Sequence, residues 1–118
     1  MEPYELEWAR AFALTLAIEL PLYVLLLRRE GFGARTAFGA GLAANVVSHP
    51  LLWFAFPMFE PYVAYAAAGE AMVIAIELAV VYAAGRMARI RMRTGQIVGL
   101  VIVVNAVSMV VGFAVTTR

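Results

Sequence analysis

Two glutamates lie in an apolar stretch that is long enough to cross a bilayer. Glu70 and Glu77 are seven residues apart within residues 66–85. In a helix this spacing is close to two turns, so both carboxyl groups share one face and lie about 10 Å apart along the axis. A charge near the centre of a membrane costs at least ~2.5 kcal/mol on insertion scales. We therefore expect both side chains to face a buried polar site.

Three other apolar stretches also carry polar side chains near their middle. From the first stretch to the last, these are Glu19, then Asn45 with His49, and then Asn105 with Ser108. The members of each pair are three or four residues apart, so each pair shares one helix face. In a helix bundle such faces can meet at one axis, as carboxylate sites in bundle cores do. The predicted ion- or substrate-binding residues are therefore Glu19, Asn45, His49, Glu70, Glu77 and Asn105.

This set of side chains suits two kinds of chemistry. Carboxyl groups inside a bundle can exchange a proton for a cation, so we expect a proton- or cation-handling transporter or a channel-like protein. The alternative is an intramembrane metal-dependent enzyme, because imidazole nitrogen and carboxylate oxygen suit a divalent metal ion. Its metal ligands would be His49, Glu19, Glu70 and Glu77. A third hypothesis is a non-catalytic small subunit of a larger membrane complex.

A purely structural role competes with these functions for some of the residues. Asparagine and serine in membrane helices often only bond a neighbouring helix, typically for ~0.6 kcal/mol. We expect that role for both polar residues of the fourth stretch. Glu70 and Glu77 are too far apart along the axis to hold one ion easily. We expect them to mark the ends of a polar stripe, with Glu19 and His49 facing the gap between them.

The composition of the chain is that of a membrane protein. Of its 118 residues, 64% are hydrophobic and 14% are charged, and the mean hydropathy is +0.87. Soluble domains average about 45–50% apolar and about 25% charged residues. A soluble fold of this length could not bury so much apolar surface. We predict a single membrane domain over residues 1–118, with the lipid bilayer as its partner.

Missing residue types exclude several cofactors and partners. The chain has no Cys and no Lys, and it has a single His. Without Cys no c-type haem can be attached, and without Lys no retinal Schiff base can form. The net charge is only +1, and no basic face is available for nucleic acid. The sequence assigns no cofactor, although the ligand types are compatible with a divalent metal.

Four apolar stretches of spanning length follow one another along the chain. The predicted spans are residues 8–27, 37–59, 62–85 and 96–115. Each is near or above the ~20 residues that a bilayer requires. The short polar connections between them predict an all-α integral membrane protein, an antiparallel bundle of four transmembrane helices. Pro21 and Pro50 lie within two of the spans and should disturb the helical hydrogen bonding there.

The placement of arginines predicts how the bundle is oriented. The first and third connections are rich in Arg, whereas the amino-terminal segment is acidic and the second connection carries only Glu60. By the positive-inside rule, the Arg-rich connections are cytoplasmic and both termini lie on the non-cytoplasmic side. The membrane we expect is the inner (cytoplasmic) membrane of a prokaryote.

Four helices enclose little volume for a transport pathway. If the protein is a transporter, we therefore expect it to assemble into a homodimer, a larger homo-oligomer or a membrane complex. Small residues let membrane helices approach each other closely. The predicted contact faces are those around Gly39, Gly41, Gly99 and Gly112.

Overall fold

The computed structural model describes residues 2–116, including the side chains of residues 2–115. Within that range the chain folds into four α-helices: α1 (Pro3–Arg29), α2 (Ala34–Pro50), α3 (Tyr62–Met87) and α4 (Thr94–Thr116). A π-helical segment, Leu51–Ala55, continues α2. If this segment is counted as part of α2, each of the four helices is long and apolar enough to cross a membrane. The prediction of an all-α fold with four helices that could span a membrane is confirmed.

Contacts at the two ends of the helices show that neighbours run antiparallel. At one end, Arg93 forms an ion pair of 3.0 Å with Glu30, which brings the two Arg-rich connections together. At the other end, the hydroxyl group of Tyr4 donates to the carbonyl oxygen of Trp53. Phe113, near the end of α4, lines a cavity together with Tyr4. The start of α1 and the end of α4 therefore lie at the end of the bundle opposite the Arg-rich connections.

Turns with a left-handed residue end both α1 and α3. Gly31 has a φ of +98°, and the N–H of Phe32 closes the turn on the carbonyl oxygen of Leu27 at 3.1 Å. In α3 the left-handed position is occupied by Arg89, whose φ is 58°. Turns of this type satisfy carbonyl groups that a helix end leaves without partners. They reverse the chain within a few residues and so allow the next helix to pack antiparallel.

Pro21 and Pro50, which lie within predicted spans, have different effects. Helix α1 continues through Pro21, and this residue is exposed. Pro50 has no N–H to donate, and the π-helical segment begins directly after it. There the N–H of Phe56 donates to the carbonyl oxygen of Leu51 at 2.8 Å, five residues back. The helix ends at Ala55, before the predicted end of the second span.

The four helices form a ring around an apolar core. Helix α1 packs against α2 and α4, and α3 also packs against α2 and α4, so α1 and α3 lie on a diagonal. The core fills the half of the bundle near the Arg-rich connections. Its members are Tyr23, Leu27, Phe32, Ala37, Ala40, Val81, Ile97, Leu100, Val101 and Val104. The outer faces are largely apolar as well, as expected for surfaces in contact with lipid.

A glycine allows α1 and α2 to approach each other closely. A Cβ atom on Gly41 would lie 3.0 Å from Cβ of Tyr23 and 3.1 Å from its ring. Gly41 therefore serves a contact within the chain, and contacts between copies stay a prediction for the other glycines. The sequence prediction noted small residues but had no means to tell the inward face from the outward one. Gly39, two residues earlier, has no described atom within 4 Å of such a Cβ position.

Candidate functional site

Glu77 lies at the centre of the bundle and accepts hydrogen bonds from the three other helices. Its Oε1 accepts from the hydroxyl of Tyr23 at 2.5 Å and from Nδ2 of Asn105 at 3.1 Å. Its Oε2 accepts from the hydroxyl of Ser48 at 2.9 Å. Glu77, Tyr23 and Ser48 are fully buried. Because a carboxylate can accept about four hydrogen bonds, Oε2 keeps room for a further ligand.

Helical spacing explains how these side chains reach the centre. In α3, Glu77 is four residues from Val73 and from Val81, and all three are buried on the inward face. Tyr23 follows Glu19 by four residues in α1, so both point inward from the same stripe. The polar residues that are fully or almost fully buried lie near the middle of the bundle: Glu19, Asn45, Ser48, Glu77 and Asn105.

Three potential cation ligands, one of them Glu77, converge at the centre of the bundle. Glu19, His49 and Glu77 each offer one ligand atom, and these three atoms lie within 4.8 Å of one another. We call this group the Glu–His–Glu site. Glu19 is only 1% exposed and Glu77 is fully buried, whereas His49 is partly exposed. The three residues come from α1, α2 and α3, so the site exists only in the folded bundle.

Several buried polar atoms around the Glu–His–Glu site are without a hydrogen bond. Oε1 of Glu19, Nδ1 of His49 and Oδ1 of Asn45 have no hydrogen-bond partner among residues 2–115. The amide nitrogen of Asn45 donates to the carbonyl oxygen of Gly41 at 2.9 Å, so this side chain is held in place while its oxygen stays available. Unpaired buried polar atoms are costly, and a cluster of them is typical of a site that takes up a ligand.

The charge of the site is not balanced by basic side chains. In the described part of the chain, one ion pair is formed, and it joins Arg93 to Glu30 at the end of the bundle. Within the described residues, the three glutamates of the bundle interior form no ion pair: Glu19, Glu70 and Glu77. Two carboxyl groups this close in a low-dielectric interior cannot both be ionised without a compensating positive charge. The site therefore requires a proton or a cation that the protein itself does not provide.

A cavity of about 310 Å³ reaches the Glu–His–Glu site from one end of the bundle. Glu19, His49, Glu70 and Asn105 contribute to its wall. A second cavity, of about 450 Å³, shares five residues with the first and extends to the end that carries the connection between α2 and α3. The shared residues are Leu52, Trp53, Glu70, Met109 and Phe113. On the other side of the site, the apolar core closes the bundle.

The structure brings most of the predicted site residues together and separates one of them. Glu19, His49 and Glu77 form the central group, and Asn45 lies near enough to the carboxyl group of Glu19 to interact with it. Glu70 is outside the group and lines both cavities from a partly exposed position. Three of the four residues predicted as metal ligands therefore lie together, and Glu70 lies apart because it is two turns from Glu77 along α3.

The sequence predicts that Asn105 forms a hydrogen bond to a neighbouring helix, and in the structure this bond goes to the candidate site. Its amide nitrogen donates both to Oε1 of Glu77 and to the carbonyl oxygen of Val101, at 3.1 and 3.0 Å. Asn105 therefore joins α4 to α3, as expected, but the acceptor is a carboxyl group of the candidate site. Ser108 lines the adjacent cavity and interacts with the carboxyl group of Glu19.

The sequence prediction missed two residues that bind Glu77. The predicted site does not include Ser48, although Ser48 lies three residues after Asn45, the same spacing that relates Asn105 to Ser108. Tyr23 shares a helix face with Glu19, but nothing in its spacing shows that its hydroxyl crosses the bundle. Helical spacing could have identified Ser48, whereas the partner of Tyr23 depends on how the helices pack.

The arrangement is suited to holding a positively charged ligand. Two carboxyl groups and one imidazole lie close together among apolar helices, and Glu19 and His49 of this group line a cavity. Donors from three helices fix the position of Glu77, as outer partners do for ligands in metal sites. Comparisons with models of known protein families, with curated proteins and with solved structures find no match to this chain, so its function is inferred from this site.

Proposed function

We propose that this protein binds a cation at the Glu–His–Glu site and carries it across the membrane as a small transporter. One observation carries the proposal: two buried carboxyl groups face each other with no basic side chain to balance them in the described part of the chain. Buried ionisable groups in membrane helices are costly and commonly mark ion pathways. A cation would supply the missing charge and would gain ligands that are already assembled.

The position of the cavities supports transport rather than storage of the cation. The site is reached from one end through the two cavities, with Glu70 at their junction. The apolar core closes the other end. Alternating access requires a site near the middle of the membrane that is open to one side at a time. The described arrangement matches one such state, and Glu70 would attract cations into the route.

We place the Arg-rich connections on the cytoplasmic side of a prokaryotic inner membrane, following the positive-inside rule. The start of α1 and the end of α4 would then be on the non-cytoplasmic side, where the cavities open. We also propose that the transporter is a homodimer or a larger homo-oligomer, because four helices leave little room for a pathway. The outward face around Gly39 is a candidate contact, since that face is free of close contacts within the described chain.

An intramembrane metal-dependent enzyme is the second candidate function, and the position of Glu70 favours it. This carboxyl group lines the same cavity as Glu19 and His49 but lies outside their group. With a metal ion held by the three ligands, Glu70 would remain in the cavity as a free carboxyl group that could receive a proton through intervening water rather than by direct contact. The apolar walls of the cavity would then select an apolar or amphiphilic substrate.

Cation flux into vesicles that contain the purified protein tests the transport proposal. The wild type, Glu19→Gln, Glu77→Gln and Glu60→Gln are compared with inward gradients of Na⁺, K⁺, Mg²⁺, Mn²⁺ or Zn²⁺. Glu60→Gln is the control, because Glu60 lies in the exposed connection between α2 and α3. We expect flux of at least one cation in the wild type and the control, and loss of that flux in both site variants.

The result that would overturn the proposal is a wild type that moves none of these cations, or site variants that retain full flux. A Glu70→Gln variant adds a second readout. If Glu70 only attracts cations into the route, its loss should slow the flux at low cation concentration and have little effect at saturation. An enzyme would instead bind the metal tightly without releasing it on the other side.

A further inference from the structure

We infer that the cation of the Glu–His–Glu site is a divalent transition-metal ion, of the Zn²⁺ or Mn²⁺ class. This inference rests on the proposal that the site binds a cation. The first argument is ligand type. Sites for Na⁺, Mg²⁺ and Ca²⁺ are built from oxygen ligands, whereas imidazole nitrogen suits zinc, iron and their neighbours. His49 is the one histidine of the chain, and it lies among the carboxyl groups.

The second argument is charge. Glu19 and Glu77 together bring two negative charges into a buried position, and neither has a basic partner within the described residues. A monovalent cation would balance only one of these charges, so one of the two carboxyl groups would also have to hold a proton. A divalent cation balances both. The neutral imidazole of His49 then adds a ligand without adding charge.

The third argument is the set of buried atoms that have no hydrogen bond. Glu19 and His49 belong to the site itself, and Asn45 lies beside it; Oε1 of Glu19, Nδ1 of His49 and Oδ1 of Asn45 have no hydrogen-bond partner among the described residues. Glu19 and Asn45 are 1% and 0% exposed, so water has little access to them. With one oxygen of Glu77, the site offers three ligand atoms of the types that zinc takes, which leaves a fourth coordination position open.

The residues around Glu77 have the positions of outer partners that orient a metal ligand. Tyr23 and Asn105 both bind Oε1, and Ser48 alone binds Oε2. Oε2 is therefore the oxygen with more remaining capacity. Loss of such outer partners typically weakens metal binding by about 10–100-fold. We assign Ser48 as a positioning residue of the site.

Metal binding to the purified, metal-free protein in detergent tests the inference. Zn²⁺ and Mn²⁺ are titrated by equilibrium dialysis with elemental analysis, and Co²⁺ serves as a probe because its visible absorption reports its ligands. We expect one ion per chain and no displacement by excess Na⁺ or Mg²⁺. His49→Ala should weaken binding by at least about tenfold, since loss of an outer partner alone has such an effect. Glu60→Gln should bind as the wild type does.

A second variant keeps the test decisive if His49→Ala does not fold. Ser48→Ala retains all the proposed ligands, so we expect it to bind Co²⁺ more weakly and with a changed absorption spectrum. A merely structural role for Ser48 would leave that spectrum unchanged. The inference is overturned if the folded wild type binds no transition metal, or if His49→Ala binds it as tightly.

The two proposals can fail separately. If vesicles show Na⁺ or K⁺ flux that depends on Glu19 and Glu77 while no transition metal binds, the transition-metal inference is wrong and the transport proposal stands. If transition metal binds through His49 but no cation crosses the vesicle membrane, the metal site stands and transport is wrong. If neither binding nor flux is found, both proposals fall.

Discussion

The hydroxyl group of Tyr23 donates a hydrogen bond of 2.5 Å to Oε1 of Glu77, from α1 to the helix diagonally across the bundle. Ser48 and Asn105 complete the link to α2 and α4. Hydrogen bonds between membrane helices average ~0.6 kcal/mol, but bonds to a charged acceptor are worth about 1.5–3 kcal/mol. One carboxyl group thus holds the four helices together at the level of the candidate site.

Replacing Tyr23 by Phe should destabilise the bundle by about 1–3 kcal/mol, because it removes a donor from a buried acceptor while the ring stays in place. The free energy of unfolding in detergent measures this effect. Tyr82→Phe is the matched control: its buried hydroxyl has no partner among residues 2–115. That change should be neutral or slightly stabilising. Equal losses in the two variants would contradict a special role for the bond between Tyr23 and Glu77.

Alanine substitutions at two glycines of α2 should have opposite effects on the free energy of unfolding. Gly41→Ala places a methyl group 3.0 Å from Cβ of Tyr23, which is fixed to the backbone and cannot move aside. We expect a loss of about 1–3 kcal/mol from overpacking. Gly39→Ala meets no described atom within 4 Å and should stabilise the helix by up to ~1 kcal/mol.

The same unfolding measurement distinguishes these two glycines. If Gly39→Ala is the destabilising change, the assignment of inward and outward faces of α2 is wrong. Weaker self-association of Gly39→Ala, measured by sedimentation in detergent, would in turn support a contact between copies on that face.

The sequence predicted the four helices because each stretch is apolar and long enough for a bilayer. Spacing along single helices also predicted that Glu19, His49 and Glu77 face inward, since each shares a face with other polar or small residues. These features depend on the periodicity of one helix, which the sequence contains. The same holds for Ser48, because its spacing of three residues from Asn45 places both on one helix face.

Other features depend on how two helices pack, which spacing within one helix does not reveal. The bond from Tyr23 to Glu77 requires that α1 and α3 lie on a diagonal. The role of Gly41 requires that Tyr23 packs against it. The separation of Glu70 from the site also follows from packing, because the ligands from α1 and α2 meet α3 at the level of Glu77.

The orientation in the membrane can be tested with single cysteines, because the natural chain contains none. Met58→Cys places a thiol in the connection between α2 and α3, where Met58 is 72% exposed. Gly33→Cys places one in the first Arg-rich connection, at a position with open space around it. In intact cells, a membrane-impermeant maleimide should label Met58→Cys only. Gly33→Cys should react after the membrane is permeabilised, and the reverse pattern would contradict the positive-inside assignment.

From the two adjacent carboxyl groups of the Glu–His–Glu site, we expect that replacing one of them changes the stability of the protein in opposite ways with and without a cation. Glu19→Gln replaces one of two adjacent carboxyl groups by a neutral amide, so it removes the charge conflict with Glu77 and adds a donor. We expect this variant to be more stable than the wild type when no cation is present. We also expect it to lose the stabilisation that a bound cation provides, because one ligand and one charge are gone.

Thermal unfolding of the wild type and Glu19→Gln, with and without added cation, tests the presence of the cation site most directly. A ligand that binds only the folded state stabilises it by about 2.7 kcal/mol at one hundred times its dissociation constant. We predict that Zn²⁺ or Mn²⁺ raises the unfolding temperature of the wild type and leaves that of Glu19→Gln unchanged. No response of the wild type to any cation, or an equal response of both proteins, would contradict a cation site formed by Glu19, His49 and Glu77.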